Sequence, residues 1–313
     1  MKTILCTTPV KHLSGIREKL NKIGNVIYKP NIKYNQLKIL LKQNKNIDFI
    51  FCNPNRQGYI LDKGVLADTS IKLINTASTG LNHINLEDCR KLNIRVLSLT
   101  KDYHLLKKLP STSELAFGLM ISLLRKIPSS FDSVKSKKWD YLPFMGREIS
   151  SLSLGIVGLG RLGKIMANYG KSFGMNVSFY DPYKKSQKYK KVSLNNLFKI
   201  SDVVSLHTHV NSETKYLVNK NLLKHSKLNQ IIINTSRGEI VKEDDIVSYL
   251  RKGKIAGYGT DVIENEFDNI KKSVIVRNIN KLNIIVTPHI GGMTLEGQLR
   301  AWQYAVKKFE RIK

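Results

Sequence analysis

A glycine-rich turn between two apolar runs constrains the fold of this chain more than any other stretch. Leu154 to Val157 is a short apolar run, as expected for a buried parallel strand. A G-x-G-x-x-G motif follows, in which the residues assigned to a dinucleotide are Gly158, Gly160, Arg161, Leu162 and Gly163. The first glycine permits a tight turn, the second lets a pyrophosphate approach the backbone, and the third lets a helix pack on the strand. The motif therefore predicts a strand, a turn and a helix whose N-terminus binds phosphates.

An acidic residue after the next strand sets the expected cofactor. Val177 to Tyr180 is predicted as that strand, and Asp181 follows it, about 20 residues after the glycines. A carboxylate there accepts from the ribose diol and repels a 2′-phosphate, so the sequence predicts NAD rather than NADP. Lys184 and Lys185 would soften this preference if they pointed inward. A glycine-rich turn without a ligand is the alternative.

Length and cysteine usage narrow the class of protein. A chain of 313 residues has room for two domains. No apolar run approaches the ~18 residues of a membrane span, and the N-terminus lacks a signal-peptide core, so no membrane partner is expected. Cys6, Cys52 and Cys89 are widely spaced and form no C-x-x-C pair, which favours a reducing, cytoplasmic setting. The histidines show no metal spacing, so no metal is predicted.

The formal net charge of +28 has two interpretations. In one, a basic surface binds nucleic acid or acidic substrates. In the other, a genome-wide codon preference for lysine spreads the charge over solvated faces. The lysines are scattered and aromatic residues do not interleave with them as on a base-stacking surface, so the second interpretation is favoured. The densest cluster, Lys184 to Lys191, is predicted to be a solvated loop.

Short apolar runs alternate with helical patterns along the whole chain, which is typical of parallel sheets covered by helices. Besides the two runs named above, the predicted strands are Thr3–Cys6, Val26–Tyr28, Phe49–Cys52, Leu73–Asn75, Val96–Leu99, Val203–His207, Ile231–Asn234, Ile255–Tyr258 and Ile284–Val286. The predicted fold class is α/β, with two Rossmann- or flavodoxin-like doubly wound parallel-sheet domains and an active-site cleft between them. Residues 1–100 and 290–313 would form a substrate domain, and residues 101–289 an NAD-binding Rossmann domain.

The connection between the two predicted domains has its own signals. Lys101 to Pro110 is charged and predicted to be irregular. Ser111 to Glu114 is predicted to cap a long apolar helix over Leu115 to Leu124. Ile127 to Gly146 is polar and aromatic, which favours a loop with a short helix.

Chemically capable residues follow three predicted strands of the second domain. Arg237 lies in the segment after Ile231–Asn234, Asp261 and Glu266 follow Ile255–Tyr258, and His289 follows Ile284–Val286. In a doubly wound sheet these strand ends meet at one crevice. Arginine, glutamate and histidine beside a dinucleotide suggest hydride transfer to a carbonyl. Each residue alone also suits a surface or turn position.

The order and spacing of these motifs resemble the D-isomer-specific 2-hydroxyacid dehydrogenases, the family of phosphoglycerate, glycerate and D-lactate dehydrogenases. The resemblance covers nearly the whole chain and rests on the segments Ser78–Ile84, Gly158–Gly163, Leu206–Thr208, Asn234–Gly238, Asp261–Glu266 and Pro288–Gly292. It implies an NAD-dependent oxidoreductase that moves a hydride between nicotinamide and C2 of a D-2-hydroxy or 2-oxo acid. It also implies a homodimer built largely on the NAD domain, with Ile127 to Gly146 contributing.

The same resemblance implies roles for individual residues. Arg237 would hold the substrate carboxylate and carbonyl, and His289 would be the general acid or base. Glu266, five residues after Asp261, would bond His289 and favour its imidazolium form, and Asp261 would bind the nicotinamide carboxamide. The remaining residues expected to line the cofactor are His207, Thr208, Thr235, Ser236, Gly291 and Gly292. The residues expected to offer backbone N–H groups to the substrate carboxylate are Ser78, Thr79 and Gly80.

The substrate is the least constrained part of the prediction. Arg56 follows a strand of the first domain and would suit a substrate phosphate, such as that of 3-phosphoglycerate or 3-phosphohydroxypyruvate, although an ordinary loop arginine fits equally well. A glyoxylate, hydroxypyruvate or D-lactate type of reductase is the alternative. Formate oxidation is disfavoured because it needs no proton relay. A non-catalytic NAD-sensing protein is the rival from another class, and the proton-relay residues argue against it. The chain ends after the final predicted helix, so no regulatory domain is expected.

Overall fold

The computed structural model of the protein describes residues 2–54, 57–266 and 270–311. Over these residues the strands are β1 Thr3–Cys6, β2 Asn25–Tyr28, β3 Phe49–Cys52, β4 Leu73–Thr76, β5 Arg95–Leu97, β6 Ser153–Val157, β7 Asn176–Tyr180, β8 Lys190–Lys191, β9 Val203–Leu206, β10 Gln230–Asn234, β11 Ile255–Thr260 and β12 Ile284–Val286. The α-helices are α1 Ile16–Ile23, α2 Tyr34–Gln43, α3 Lys63–Leu66, α4 Leu86–Lys91, α5 Tyr103–Leu106, α6 Ser111–Leu124, α7 Ile127–Lys135, α8 Arg161–Ser172, α9 Leu194–Ile200, α10 Lys220–Leu223, α11 Glu243–Arg251 and α12 Leu295–Glu310.

The chain divides into two compact units. Unit 1 comprises Met1–Leu109 and Met293–Lys313, and unit 2 comprises Pro110–Gly292. Each contains one parallel sheet with helices on both faces, which confirms the prediction of two doubly wound α/β domains. Short 3₁₀ turns lie in unit 2 at Leu142–Phe144, Ile149–Ser151, Gly238–Ile240, Ile270–Lys272 and Val276–Asn278.

Unit 1 is built on a five-stranded sheet in the order β2-β1-β3-β4-β5. Every residue of β1 is buried, and successive side chains enter opposite cores because a strand alternates its faces. The C-terminal helix α12 covers one face of this sheet. Its Trp302 packs edge-on against Phe51 of β3 with ring centroids 5.1 Å apart, and Asn75 of β4 donates its side-chain amide to the Ala305 carbonyl at 2.8 Å. The final helix therefore belongs to the same core as the first strand.

Unit 2 is built on a seven-stranded sheet in the order β12-β11-β10-β9-β6-β7-β8. The strand order reverses at β6, so β6 and β9 flank the point where sheets of this type bind ligands. Helix α6 packs on β10 and β11, and the glycines of β11 make room for it. A methyl group at Gly259 would lie 3.0 Å from the Leu123 side chain and 3.3 Å from Leu119.

Three local predictions are wrong. Ser111 to Glu114 does not precede α6 but forms its first turn, after Pro110, and the Ser113 hydroxyl donates to the Leu162 carbonyl at 3.0 Å instead of capping the helix. The stretch expected to be irregular contains the one-turn helix α5. The lysine-rich stretch expected to be a loop contributes β8, which pairs with Ser178 and Phe179 at the sheet edge. Strand pairing at a sheet edge depends on backbone hydrogen bonds, so the lysine-rich sequence did not predict this strand.

Candidate active site

Six strands of unit 2 end at the same level of the sheet. One row of paired residues runs across it, formed by Tyr180, Val157, Leu206, Asn234, Thr260 and Val286. The residue after each row position is therefore placed at a common edge, and these residues are Asp181, Gly158, His207, Thr235, Asp261 and Thr287. Five of the six are predicted site residues. The register of the sheet thus brings the predicted cofactor segments together at its carboxyl edge.

The glycine motif has the shape that a dinucleotide requires. Gly158 has φ +90°, and a methyl group there would lie 2.6 Å from the His207 carbonyl oxygen. A methyl group at Gly163 would lie 2.0 Å from the Gly158 carbonyl oxygen, so α8 can pack on this turn only with glycine. Gly160 precedes α8, and a methyl group there would meet no atom within 4 Å. The open Gly160 position, with Arg161 and Leu162 as the first helical residues, fits a pyrophosphate at the helix N-terminus.

Asp181 ties the glycine motif to the turn after β7. One carboxylate oxygen accepts from the Leu159 N–H at 2.9 Å, and the other accepts from the N–H groups of Tyr183 at 2.9 Å and Lys184 at 3.0 Å. The residue is only 8% exposed. These three N–H donors compensate for the burial of the carboxylate. Its remaining lone pairs can accept hydrogen bonds from a ribose diol.

The residues after β9 and β10 provide further polar contacts at this edge. His207 Nε2 lies 2.8 Å from the Ser205 hydroxyl, and burial of the ring lowers the pKa of His207 to about 4, so it is neutral near pH 7. Thr208 follows it and is half-buried. The Ser236 hydroxyl donates to the Leu206 carbonyl at 2.6 Å. The Thr235 hydroxyl oxygen is buried and has no hydrogen-bond partner among the described residues. This unpaired buried hydroxyl, on the residue that follows β10 at the carboxyl edge of the sheet, fits a polar ligand there.

The turn that carries Arg237 is held by a buried asparagine. Asn234, the last residue of β10, accepts from the Ser236 N–H at 3.1 Å and donates to the Arg237 carbonyl at 2.9 Å. The half-buried Arg237 donates a hydrogen bond from one guanidinium nitrogen to the Ser236 carbonyl oxygen at 2.6 Å. Its other donors can hold a carboxylate or carbonyl.

Glu266 and His289 form the predicted pair. His289 Nδ1 lies 2.9 Å from both carboxylate oxygens of Glu266. The Glu266 side chain is 20% exposed and that of His289 is 44% exposed. Because the carboxylate is an acceptor, Nδ1 carries the hydrogen and Nε2 is left to exchange a proton. Within the described ranges, Nε2 has no hydrogen-bond partner.

Asp261 holds the turn on which His289 lies. One of its carboxylate oxygens accepts from the Thr287 hydroxyl at 2.5 Å and the Ile290 N–H at 2.8 Å, and the other accepts from the Gly291 N–H at 2.7 Å. His289 has φ +55°, a left-handed conformation that costs a non-glycine residue about 1 kcal/mol or more. Asp261 stabilises this conformation through its hydrogen bonds to the residues on either side of His289. Burial raises its pKa, and the three hydrogen bonds counteract the shift.

The two glycines after His289 differ in their surroundings. Gly291 is buried against α6, where its carbonyl accepts from the Thr112 hydroxyl at 3.1 Å. Gly292 is exposed. Gly291 thus serves the packing of this turn, while Gly292 is accessible to a ligand.

The predicted substrate segment lies in unit 1. Gly80 donates its N–H to the Ser78 hydroxyl at 3.0 Å, and the Thr79 carbonyl accepts from the Thr100 hydroxyl at 3.1 Å. Nearby His83 is buried, with Nε2 3.0 Å from the Thr76 hydroxyl. Burial lowers the pKa of His83 to about 4, so it is a neutral part of the core. Arg56, proposed for a substrate phosphate, lies outside the described residues.

Sequence reasoning missed residues that act through hydrogen bonds to loops. The structure adds Asn234 to the Arg237 turn and Thr287 to the Asp261 cluster. Both are polar residues at strand ends, which is the signal that identifies them in the sequence. Across the described ranges there is no group of three metal-ligating side chains, and no helix there is long and apolar enough to cross a bilayer.

A glycine-turn helix at the switch point of a doubly wound sheet, with a carboxylate after β7, defines a dinucleotide-binding protein. Residues 117–291 match the family described as D-isomer specific 2-hydroxyacid dehydrogenase, NAD binding domain. The chain belongs to this family. The family assignment and NAD as cofactor agree with the prediction.

Several characterised proteins are similar to this chain. A D-3-phosphoglycerate dehydrogenase of Bacillus subtilis is 32% identical over 74% of this chain and 43% of its own length, so the match spans less than half of that relative. A hydroxypyruvate reductase of Thermotoga maritima is 32% identical over 77% of this chain and 78% of its own length. A D-lactate dehydrogenase from Aquifex aeolicus, solved with NAD and lactic acid, has a TM-score of 0.81 and is 28% identical, covering 99% of this chain and 95% of that one.

Proposed function

We propose that this protein is an NAD-dependent oxidoreductase that interconverts a D-2-hydroxy acid and its 2-oxo acid. The observation that carries the proposal is the contact of His289 Nδ1 with the Glu266 carboxylate. Such a pair leaves one ring nitrogen free to exchange a proton. A protein that only senses NAD does not need this group.

The residues of unit 2 account for the chemistry that a 2-oxo acid requires. When bound, NADH supplies the hydride that C2 of the 2-oxo acid accepts. His289 gives the proton at Nε2 to the carbonyl oxygen, which becomes the hydroxyl, and takes it back in the reverse direction. Glu266 fixes the ring orientation through its contact with Nδ1. Arg237 holds the substrate carboxylate and polarises its carbonyl.

The cofactor residues act by binding and orientation. The open Gly160 position and the first N–H groups of α8 bind the pyrophosphate. Asp181 binds the ribose, and the unpaired Thr235 hydroxyl contacts the nicotinamide half. We keep Ser78, Thr79 and Gly80 as the segment that binds the substrate carboxylate, and Gly292 as a cofactor contact.

The substrate within this class is proposed from the relatives. Three of them are named for 3-phosphoglycerate, hydroxypyruvate and lactate. A phosphorylated acid such as 3-phosphoglycerate is our first candidate, with Arg56 on its phosphate, and hydroxypyruvate, glyoxylate or D-lactate is the alternative.

We also propose a homodimer in a reducing cytoplasm. All three cysteines are free and buried. The segment after α6 exposes large apolar side chains, with Trp139 91%, Tyr141 81% and Met145 76% exposed. A second copy would remove this surface from water. Analytical ultracentrifugation would contradict the dimer if it gave the monomer mass at micromolar concentration.

A substrate panel tests the proposed function. NADH oxidation is followed optically with 3-phosphohydroxypyruvate, hydroxypyruvate, glyoxylate and pyruvate as separate substrates. We expect a strong rate with one of them, and a preference for the phosphorylated acid would support Arg56. Tight NADH binding without turnover on any 2-oxo acid would overturn the enzymatic proposal in favour of an NAD sensor.

A further inference from the structure

A buried carboxylate outside the proposed catalytic set lies behind the loop that carries Glu266. Glu243, the first residue of α11, is only 6% exposed. One of its carboxylate oxygens accepts from the Glu264 N–H at 2.8 Å. Glu264 is two residues before Glu266, so this bond fixes the backbone close to the residue that contacts His289.

A second bond fixes the side chain of the same residue. The Tyr216 hydroxyl donates to the Glu264 carboxylate. The ring of Tyr216 is held by two ammonium groups, those of Lys242 at 4.8 Å and Lys215 at 5.3 Å from its centroid. Glu264 is therefore pinned at both its backbone and its side chain, and of the two glutamates on this loop it is Glu266 that is left for His289.

The third constraint comes from the residue after Arg237. A methyl group at Gly238 would lie 2.1 Å from the Ile263 carbonyl carbon and 2.2 Å from the Glu264 nitrogen. The peptide between Ile263 and Glu264 is thus enclosed by Gly238 and by the Glu243 carboxylate. The Arg237 turn and the Glu266 loop are packed as one body, and a shift of the loop would move both groups.

We propose that Glu243, with Tyr216, is a positioning residue that acts through Glu264 to set the contact between Glu266 and His289. The proposal rests on the proposed function for its catalytic meaning, although the contact itself is a property of the fold. Loss of the Glu243 acceptor leaves the Glu264 N–H without its partner, and the loop relaxes away from His289. A displacement of about 1 Å at such a site lowers turnover by about 10²-fold.

The direct test reads the histidine itself and needs no substrate. The ring nitrogens of His289 are observed by ¹⁵N NMR, with His289→Asn used to assign the signals. In the wild type we expect the neutral ring to carry its hydrogen on Nδ1. In Glu243→Ala we expect the signal to move toward the Nε2–H form that free histidine prefers. An unchanged tautomer in folded Glu243→Ala would overturn the proposal, whatever the activity of the protein.

Kinetics separate positioning from general damage. Glu243→Ala should lower kcat about 10- to 100-fold and change the KM for NADH less than threefold. Glu243→Gln, which keeps an acceptor oxygen of the same shape, should restore most of kcat. Asp244→Ala is the matched control, because Asp244 is the next residue of the same helix, is also acidic and is exposed. Equal losses in Glu243→Ala and Asp244→Ala would contradict the proposal.

A double-mutant cycle tests whether Glu243 acts through Glu266. In a Glu266→Gln background, Glu243→Ala should cost less than threefold in kcat, because the contact that it positions is already lost. Fully additive losses would overturn the proposal.

If Glu243→Ala fails to fold, Tyr216→Phe takes its place in the NMR and kinetic experiments, since it removes only the hydroxyl that holds Glu264. Absence of turnover in the wild type would refute the proposed function. The NMR test of the His289 tautomer would still decide whether Glu243 positions the contact between Glu266 and His289.

Discussion

Asp181 and Asp261 are both buried carboxylates that directly follow a strand of the same sheet, yet they organise different parts of unit 2. Asp181 accepts from N–H groups of the glycine motif and of its own turn. Asp261 accepts from three groups on the His289 turn. Both follow the same row of the sheet, so their different roles come from the neighbouring loops. One carboxylate shapes the loop of the glycine motif, and the other holds His289, the proposed general acid, in a left-handed conformation.

The two carboxylates also differ in what their hydrogen bonds hold in place. The family resemblance implies that Asp261 binds the nicotinamide carboxamide, and in the structure its two oxygens accept hydrogen bonds from the His289 turn. It is also less exposed than Asp181, at 2% against 8%. We therefore expect substitutions of Asp261 to affect turnover and stability, and substitutions of Asp181 to affect cofactor choice.

Among substitutions of the residues that hold these loops, Asp261→Ala has the largest expected effect. The N–H groups of Ile290 and Gly291 lose their acceptor, and His289 loses the bonds that stabilise its backbone conformation. We expect kcat to fall about 10²- to 10³-fold and the free energy of unfolding to fall by about 2–4 kcal/mol. Steady-state kinetics and urea denaturation measure the two effects. A kcat within threefold of the wild type would break the proposed contrast with Asp181.

A third buried carboxylate extends the comparison to stability. Burial, with the nearby charges of Glu264, Asp244 and Glu239, raises the pKa of Glu243 to about 7. A carboxyl whose pKa is raised by folding destabilises the protein when ionised, so its cost is absent below the unfolded value near 4.5 and complete above pH 7. Glu243→Gln should therefore stabilise the protein above pH 7 by up to about 3 kcal/mol.

The pH dependence provides the control for this prediction. The stability gain of Glu243→Gln should shrink as the pH falls from 8 toward 4.5, where the wild-type carboxyl is protonated in both states. Urea denaturation at several pH values measures it. A gain that does not change with pH would show that the burial of charge is not the cause.

Asp181→Ala should have a smaller effect, on cofactor choice. Removing the carboxylate takes away an acceptor for the ribose diol and a charge that repels a 2′-phosphate. We expect NADH to bind more weakly and the preference for NADH over NADPH to fall about tenfold, equal to about 1.4 kcal/mol. Titrations with both cofactors measure this ratio. An unchanged ratio would show that Asp181 only shapes the loop.

The smallest expected effect belongs to Thr235, which follows the row between the two aspartates. Its buried hydroxyl oxygen has no partner within the described part of the chain. Thr235→Val removes this oxygen and keeps the shape of the side chain, so the free energy of unfolding should not fall. NADH should bind about two- to fivefold more weakly, because one hydrogen bond to it is lost. A clear loss of stability would mean that the hydroxyl serves the fold.

The sequence identified features that depend on local residue order. The glycine motif, the strand that follows it and Asp181 are consecutive signals, and the fold class and family agree with them. The family spacing of five residues after Asp261 indicates Glu266, and it is Glu266 that contacts His289. The NMR and kinetic experiments on Glu243 variants measure how that contact affects the His289 tautomer and turnover.

Features that depend on contacts between loops could not be derived in this way. The left-handed His289 is held by a carboxylate 28 residues earlier in the chain, and no local pattern predicts that conformation. In the sequence Glu243 resembles any acidic residue in the first turn of a helix. Its role depends on the contact with the Glu264 N–H, which the sequence does not predict. Ser111 to Glu114 resembles a helix cap, but Pro110 already provides the helix start.

The most direct test of the account is the effect of His289→Ala on NADH oxidation with the best 2-oxo acid. As the proposed general acid, His289 should contribute about 10²- to 10⁴-fold to turnover. We predict a loss of that size in kcat, with NADH binding retained when it is measured separately by fluorescence. Near-normal turnover in His289→Ala would contradict the central claim that the Glu266–His289 pair supplies the proton.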